Sequence, residues 1–122
     1  MKSKTIMIAD DDDDLLFLLK TQLASAGYTV NICNNGDSLI EKLILLKPNL
    51  VLLDINMIGV DGGKLCGEIK KDKRLLDIKV LIMSGNYDIK KISSLCGADG
   101  YITKPLSYPT TENKISLILS EN

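Results

Sequence analysis

The 122-residue sequence predicts an α/β domain, a parallel sheet of five strands with helices on both faces. Three observations predict it. Short β-prone apolar runs alternate with helix-periodic segments along the whole chain, five of each. The central run Leu50-Val51-Leu52-Leu53 is apolar at every position, as a strand buried on both faces of a parallel sheet requires. Four of the five strands run into a chemically loaded residue, as expected where parallel strands deliver their carboxyl ends to one edge. Right-handed crossovers then wind helices over both faces and give three layers.

The first strand is Thr5–Ala9, followed by five aspartates, Asp10 to Asp14. Asp12 or Asp13 caps a helix carrying Leu15, Leu16, Leu18, Leu19 and Leu23, and Gly27 stops it. The acidic start suits the positive end of that helix. Residues 28–32 form the second strand, with Thr29 and Val30 favouring it. Asn34-Asn35-Gly36 turns the chain, and Asp37 or Ser38 caps a helix with Leu39, Ile40, Leu43, Ile44 and Leu46 inward. Pro48 ends it. The third strand, residues 50–53, meets Asp54 where it leaves the core. Asp61-Gly62-Gly63 starts a third helix bearing Leu65, Cys66 and Ile69, and a basic run from Lys70 to Arg74 closes it. Residues 79–83 form the fourth strand and end at Ser84-Gly85. A weaker helix over 87–95 uses Ile89, Ile92 and Leu95 as its stripe, stopped by Gly97. Gly100–Thr103 is the fifth strand, ending at Lys104-Pro105. The last helix, about 107–120, tolerates Pro109 in its first turn and turns Ile115, Leu117, Ile118 and Leu119 inward.

Composition narrows the function classes. Hydrophobic residues make up 45% and charged residues 25%, as in an ordinary globular domain, and the net charge of −1 gives no reason to expect nucleic acid or membrane as a partner. Histidine is absent, which removes the commonest general base and metal ligand. With no tryptophan and one phenylalanine, the core falls to Leu, Ile and Val. Cys33, Cys66 and Cys96 are odd in number and widely spaced, so they predict reduced, partly buried thiols in a cytoplasmic protein rather than a zinc site or disulfide framework. Met1-Lys2-Ser3-Lys4 leads straight into a strand too short for a signal core. No repeat, low-complexity stretch or linker divides residues 1–122, which read as one domain.

The strand ends carry the chemistry. Asp10-Asp11, Asp54, Ser84 and Lys104 converge on one edge; only the second strand, ending near Cys33, brings nothing. Singly, Ser84 reads as a turn residue, Lys104 as an exposed lysine and Tyr101 as a half-buried strand aromatic. Their coincidence at one edge favours a site. Three carboxylates roughly 5 Å apart repel by about 3 kcal/mol per pair at an effective dielectric near 20, so the cluster needs a cation. Oxygen donors without histidine favour Mg²⁺. Cation and Lys104 together suit a dianionic phosphoryl group beside Asp54 as nucleophile.

Ile6-Met7-Ile8-Ala9-Asp10-Asp11, Leu52-Leu53-Asp54-Ile55-Asn56-Met57, Asp61-Gly62, Leu81-Ile82-Met83-Ser84-Gly85 and Gly97-Ala98-Asp99-Gly100-Tyr101-Ile102-Thr103-Lys104-Pro105 together carry a resemblance. In this order and spacing the chain closely resembles the receiver domain of two-component response regulators, in a stand-alone form like the chemotaxis regulators. The resemblance implies a flavodoxin-like three-layer sandwich with strand order 2-1-3-4-5. It implies Asp54 as phosphoacceptor; Asp11, Asp54 and the Asn56 backbone carbonyl as Mg²⁺ ligands; Asp10 acting on the ion through water; Ser84 and Tyr101 as switch residues; Lys104 pairing with Asp54 or its phosphate; and a cis Lys104–Pro105 peptide. It implies a histidine kinase or phosphotransfer protein as donor, output through a downstream protein partner or an appended output domain, and a dimer formed on phosphorylation among the forms allowed. The starting methionine and the end just past the fifth helix favour a stand-alone form. Ile58 departs from the family's usual proline, and Ser107 with Pro109 starts the last helix unusually.

The function expected is a phosphorylation-activated switch rather than an enzyme. The nearest alternative is a degenerate receiver acting as a protein-interaction module without phosphorylation. A phosphatase with an aspartate nucleophile would want a carboxylate at position 56, where Asn56 stands. A flavin or nucleotide binder would want a Gly- or Ser-rich anion loop where Asp10 to Asp14 stand.

Overall fold

In the computed structural model, residues 4–120 are described. Met1-Lys2-Ser3, and the last two residues of the single-domain assignment, lie outside them. The elements are β1 (Thr5–Ala9), α1 (Asp13–Ser25), β2 (Thr29–Cys33), α2 (Leu39–Leu46), β3 (Leu50–Asp54), α3 (Gly62–Lys71), β4 (Lys79–Ser84), α4 (Ile89–Cys96), β5 (Gly100–Thr103) and α5 (Tyr108–Ser120), with a 3-10 turn at Lys73–Leu75. All strand pairs are parallel, in the order β2-β1-β3-β4-β5.

Side chains alternate across the pleat, so each inner strand feeds two cores. Met7, Ala9, Val51, Leu53, Val80 and Ile82 face one way and pack with Leu39 and Leu43 of α2, Leu65, Cys66 and Ile69 of α3 and Ile89 of α4. Ile6, Ile8, Leu50, Leu52, Leu81 and Met83 face the other way, onto Leu16, Leu19 and Leu23 of α1 and Ile115 and Ile118 of α5. Methionine and cysteine thus share the core with Leu, Ile and Val, and Phe17 is 72% exposed.

Local chemistry sets the boundaries. Asp12 caps α1, its carboxylate accepting from the amides of Asp14 and Leu15. Tyr28, expected in the second strand, instead donates its amide to Leu23 O and finishes the end of α1; β2 begins at Thr29, opposite Thr5. Neither Asp37 nor Ser38 caps α2 through its side chain. Asn35 Oδ1 does the nearby work, accepting from Ser38 N at 3.2 Å and Ser38 Oγ at 3.1 Å. Lys47, before Pro48, closes α2 in the left-handed region, φ 44°. Asp61 caps α3 through Lys64 N at 3.1 Å. The basic run outlasts α3: Asp72 ends it, and Arg74 lies in the following 3-10 turn.

Several apolar stripes are narrower than the periodicity predicts. Leu18, Leu46, Leu95 and Leu117 face solvent, because each lies off the arc its helix turns to the sheet. Tyr87 is fully exposed in the loop before α4. Thr111 takes a buried place on α5, satisfied by Oγ1 donating to Ser107 O at 2.9 Å. Among the described residues no helix is long and apolar enough to cross a membrane.

Candidate functional site

Register alone lines up the site. Ala9 pairs with Leu53, so the next residues, Asp10 and Asp54, leave neighbouring strands side by side. Asp54 itself pairs with Met83, one residue before Ser84, and Ser84 pairs with Thr103, one residue before Lys104. Strand β2 is the outer strand beyond β1; it supports the site through Cys33 O, which accepts from Asp10 N at 3.1 Å. A helix must then begin close to the end of β3. Gly62 permits this, since a Cβ there would fall onto the Ile55 backbone.

Carboxylate oxygens of Asp10, Asp11 and Asp54 lie within 4.8 Å of one another. Asp10 and Asp54 are buried and Asp11 is exposed. Each is held in place. Asp10 Oδ1 accepts from Asp12 N at 2.9 Å, Asp11 Oδ2 from Ile58 N at 2.9 Å and Asp54 Oδ1 from Asn56 N at 3.1 Å. Lys104 Nζ reaches both buried acids, at 2.9 Å from Asp10 Oδ2 and 3.5 Å from Asp54 Oδ1. Its shorter contact is therefore with Asp10, whereas the resemblance pairs it with Asp54.

The charges follow from these distances. Burial raises the Asp54 carboxyl above its ordinary range, the Asn56 amide pulls it back, Asp10 pushes it up, Lys104 pulls it down and Asp11 adds a further push up. For Lys104, burial works against the ammonium, but the hydrogen bond and charge of Asp10, with Asp54 beyond, outweigh it and hold the group above its usual value. The site therefore carries more negative than positive charge. Three hard carboxylates at one sheet edge fit a divalent cation with oxygen preference.

Ser84 is fully buried, with Oγ donating to Asn56 Oδ1 at 2.5 Å and accepting from Asn86 N at 3.0 Å. The Asn56 side-chain contact was not legible from sequence, because nothing in spacing says which way a loop amide turns. The same holds for the amide of Ile58 on Asp11. Tyr101 is half-buried on β5, packed against the core under α4, with Lys114 Nζ 5.6 Å from its ring centre. The Lys104–Pro105 peptide is cis, as the resemblance implies.

Comparison with known proteins bears on the family and the fold. A family model described as the response regulator receiver domain matches residues 6–116. The alkaline phosphatase synthesis transcriptional regulatory protein PhoP of Bacillus subtilis is 29% identical over 117 residues, covering 96% of this chain and 49% of that protein. The DNA-binding dual master transcriptional regulator RpaA of Synechocystis is 36% identical over 102 residues, covering 82% of this chain and 42% of that protein. The chain thus spans about half the length of the curated relatives it matches. Among solved structures, a putative response regulator from Chloroflexus aurantiacus superimposes with a TM-score of 0.92 at 25% identity, covering 98% of this chain and 100% of that one. A CheY-like receiver domain protein from Methanospirillum hungatei gives 0.89 at 29%, covering 98% and 95%. With its parallel order, its acidic edge and a family match over nearly its whole length, the chain belongs to the response regulator receiver domain family.

Proposed function

We propose that this domain is a phosphorylation-activated switch in which Asp54 is the phosphoacceptor. The observation that carries the reading is the placement of Asp54, buried at its strand end, between two further carboxylates and one lysine. A histidine kinase or phosphotransfer protein presents a phosphohistidine. An Asp54 carboxylate oxygen attacks phosphorus; the O–P bond forms as the P–N bond breaks, and the imidazole leaves with the electron pair. Lys104 stands beside the attacking carboxylate to meet the phosphoryl oxygens. Asp11, Asp54 and the Asn56 carbonyl would hold Mg²⁺, with Asp10 acting through water. When bound, that ion supplies positive charge against which an anionic group can approach this edge.

The product adds nearly two negative charges where Ser84 now rests on Asn56. In this reading Ser84 Oγ leaves Asn56 for a phosphoryl oxygen and Tyr101 follows inward, so the α4–β5–α5 face presents a different surface. Output then passes to a protein partner or an appended output domain. The test is labelling with acetyl phosphate and Mg²⁺. Wild type takes one phosphoryl group that is lost at alkaline pH, and Asp54→Ala takes none. Labelling that survives in Asp54→Ala, or an unlabelled wild type, overturns the proposal.

A further inference from the structure

Cys66 on α3 and Cys96 at the end of α4 stand against each other across the seam between the two helices. Cys66 Sγ donates to the Cys96 carbonyl at 3.7 Å, and Cys96 Sγ donates to Ser93 O of its own helix at 3.7 Å. Both are free. Their exposures differ. Cys66 is wholly buried, whereas Cys96 is half-buried and lines a cavity of about 520 Å³ between α3 and α4. The α3 wall of that cavity includes Gly63 and Gly67, which put no side chain into it; a Cβ on Gly67 would meet nothing within 4 Å. Neither thiol touches the acidic edge. Cys96 ends α4 at the end remote from the Ser84 loop.

We propose that Cys66 and Cys96 are a peroxide-sensitive thiol pair that closes to a reversible disulfide, tying α4 to α3. Access through the cavity makes Cys96 the thiol that reacts first. Its sulfur attacks one oxygen of hydrogen peroxide. The O–O bond breaks, the second oxygen leaves with the thiol's proton as water, and Cys96 becomes a sulfenic acid. The sulfur of Cys66 then attacks that of Cys96. The S–S bond forms, the S–O bond breaks, and the hydroxyl leaves with the Cys66 proton as a second water. Two thiols give up two electrons, and these reduce the peroxide. Burial pushes the Cys66 thiol well above its ordinary value, so Cys96 rather than Cys66 meets the peroxide first. Closure needs the sulfurs to approach to about 2.05 Å. Of the eight α4 residues Ile89 and Ser93 are buried and Ile92 and Cys96 pack partly against the core, so closure requires a local shift at the last turn of that helix.

The test uses the whole chain, reduced, freed of reductant, treated with hydrogen peroxide, acid-quenched and alkylated in denaturant. The expected result is a mass loss of two hydrogens, one disulfide-linked peptide pair carrying Cys66 and Cys96, and reversal by dithiothreitol. Cys33→Ser should behave the same. In Cys66→Ala, Cys96 should take up dimedone. In Cys96→Ser, altered only at the half-buried position, Cys66 should stay fully alkylatable. Circular dichroism identifies any variant that fails to fold, and wild type and Cys33→Ser suffice to decide. A linkage through Cys33, a dimer linked between chains, or Cys96 over-oxidised while Cys66 stays alkylatable would overturn the proposal.

Discussion

Replacing Asp54 with asparagine should stabilise the metal-free domain, although it destroys the proposed reactive group. At an effective dielectric near 20, the Asp10 carboxylate, no more than 4.8 Å away, repels Asp54 by at least about 3.5 kcal/mol, and Lys104 Nζ at 3.5 Å returns about 4.7 kcal/mol. Asp11 is exposed, so solvent cuts its repulsion to about 1 kcal/mol. These charge terms nearly cancel. What remains is the removal of a carboxylate from water at a 3% exposed position, offset by one backbone hydrogen bond from Asn56. The balance opposes the charged form by about 1–2 kcal/mol. It agrees with a folded carboxyl raised mainly by burial. The sign follows by linkage. The folded group holds its proton more tightly than the unfolded one. Its charge therefore opposes folding once pH rises above the unfolded value of about 3.9, and fully so above the raised folded value. Asparagine keeps an oxygen for the Asn56 amide and removes the charge. Urea unfolding followed by circular dichroism, with chelator present, should show Asp54→Asn more stable by about 1–2 kcal/mol at pH 7 and no more than marginally so at pH 4. Mg²⁺ at ten times its dissociation constant should then stabilise wild type by about 1.4 kcal/mol and Asp54→Asn much less. An asparagine variant less stable than wild type at pH 7, or a gain unchanged at pH 4, would refute the reasoning.

Lys104→Met should cost about 2 kcal/mol or more in the same unfolding assay, because Asp10, 0% exposed, loses its 2.9 Å partner; adding Asp10→Asn should recover most of that loss. Ser84→Ala should cost about 1 kcal/mol, since it unpairs Asn56 Oδ1 and Asn86 N, while labelling by acetyl phosphate persists and the change at Tyr101, read by its fluorescence, disappears. The two α3 glycines should respond in opposite directions. Gly62→Ala drives a Cβ onto the Ile55 backbone and should lose about 2 kcal/mol or more, whereas Gly67→Ala meets open space in a helix interior and should gain about 0.5–1 kcal/mol; melting temperatures of the two variants check both.

Much of the fold was legible because parallel strands have a strong local signature. The unbroken apolar run at Leu50-Val51-Leu52-Leu53 leaves no solvent face, and each of its residues is buried. Strand ends were legible for the same reason, so Asp10, Asp11, Asp54, Ser84 and Lys104 could be placed at one edge before any coordinates. Strand order was a different matter. Alternation fits several orders, and only the family resemblance supplied β2-β1-β3-β4-β5. Helix faces were read too broadly: Leu95 has the right spacing for the α4 stripe, yet it is 78% exposed at the rim of the cavity beside Cys96. Loop contacts were the least legible. Cys66 and Cys96 are thirty residues apart, and their meeting depends on how α3 and α4 pack. The preference of Lys104 for Asp10 over Asp54 depends on side-chain reach within a few tenths of an ångström, which no sequence pattern encodes.

The contacts around Asp54 form a closed circuit, and that closure says how one charge can be felt across two loops. Asn56 N and Lys104 Nζ both end on Asp54 Oδ1. From Asn56 the path runs through its side-chain oxygen to Ser84 Oγ. From Lys104 it runs through the backbone, since Lys104 N donates to Ser84 O at 2.9 Å. Ser84 is thus joined to the same carboxylate oxygen twice, once through each neighbouring loop. In the proposed switch, altering the charge on that oxygen acts on both arms together, and Ser84 Oγ answers by giving up Asn56 while its backbone stays in β4. Asn86 N, which also rests on Ser84 Oγ at 3.0 Å, must then follow, and Asn86 opens the turn that leads into α4 through Asp88 and Ile89. A residue tied by only one arm could relax locally; one tied by two transmits. In the proposed switch this is the part a hydroxyl at position 84 would play, and methyl in its place should separate phosphorylation from response.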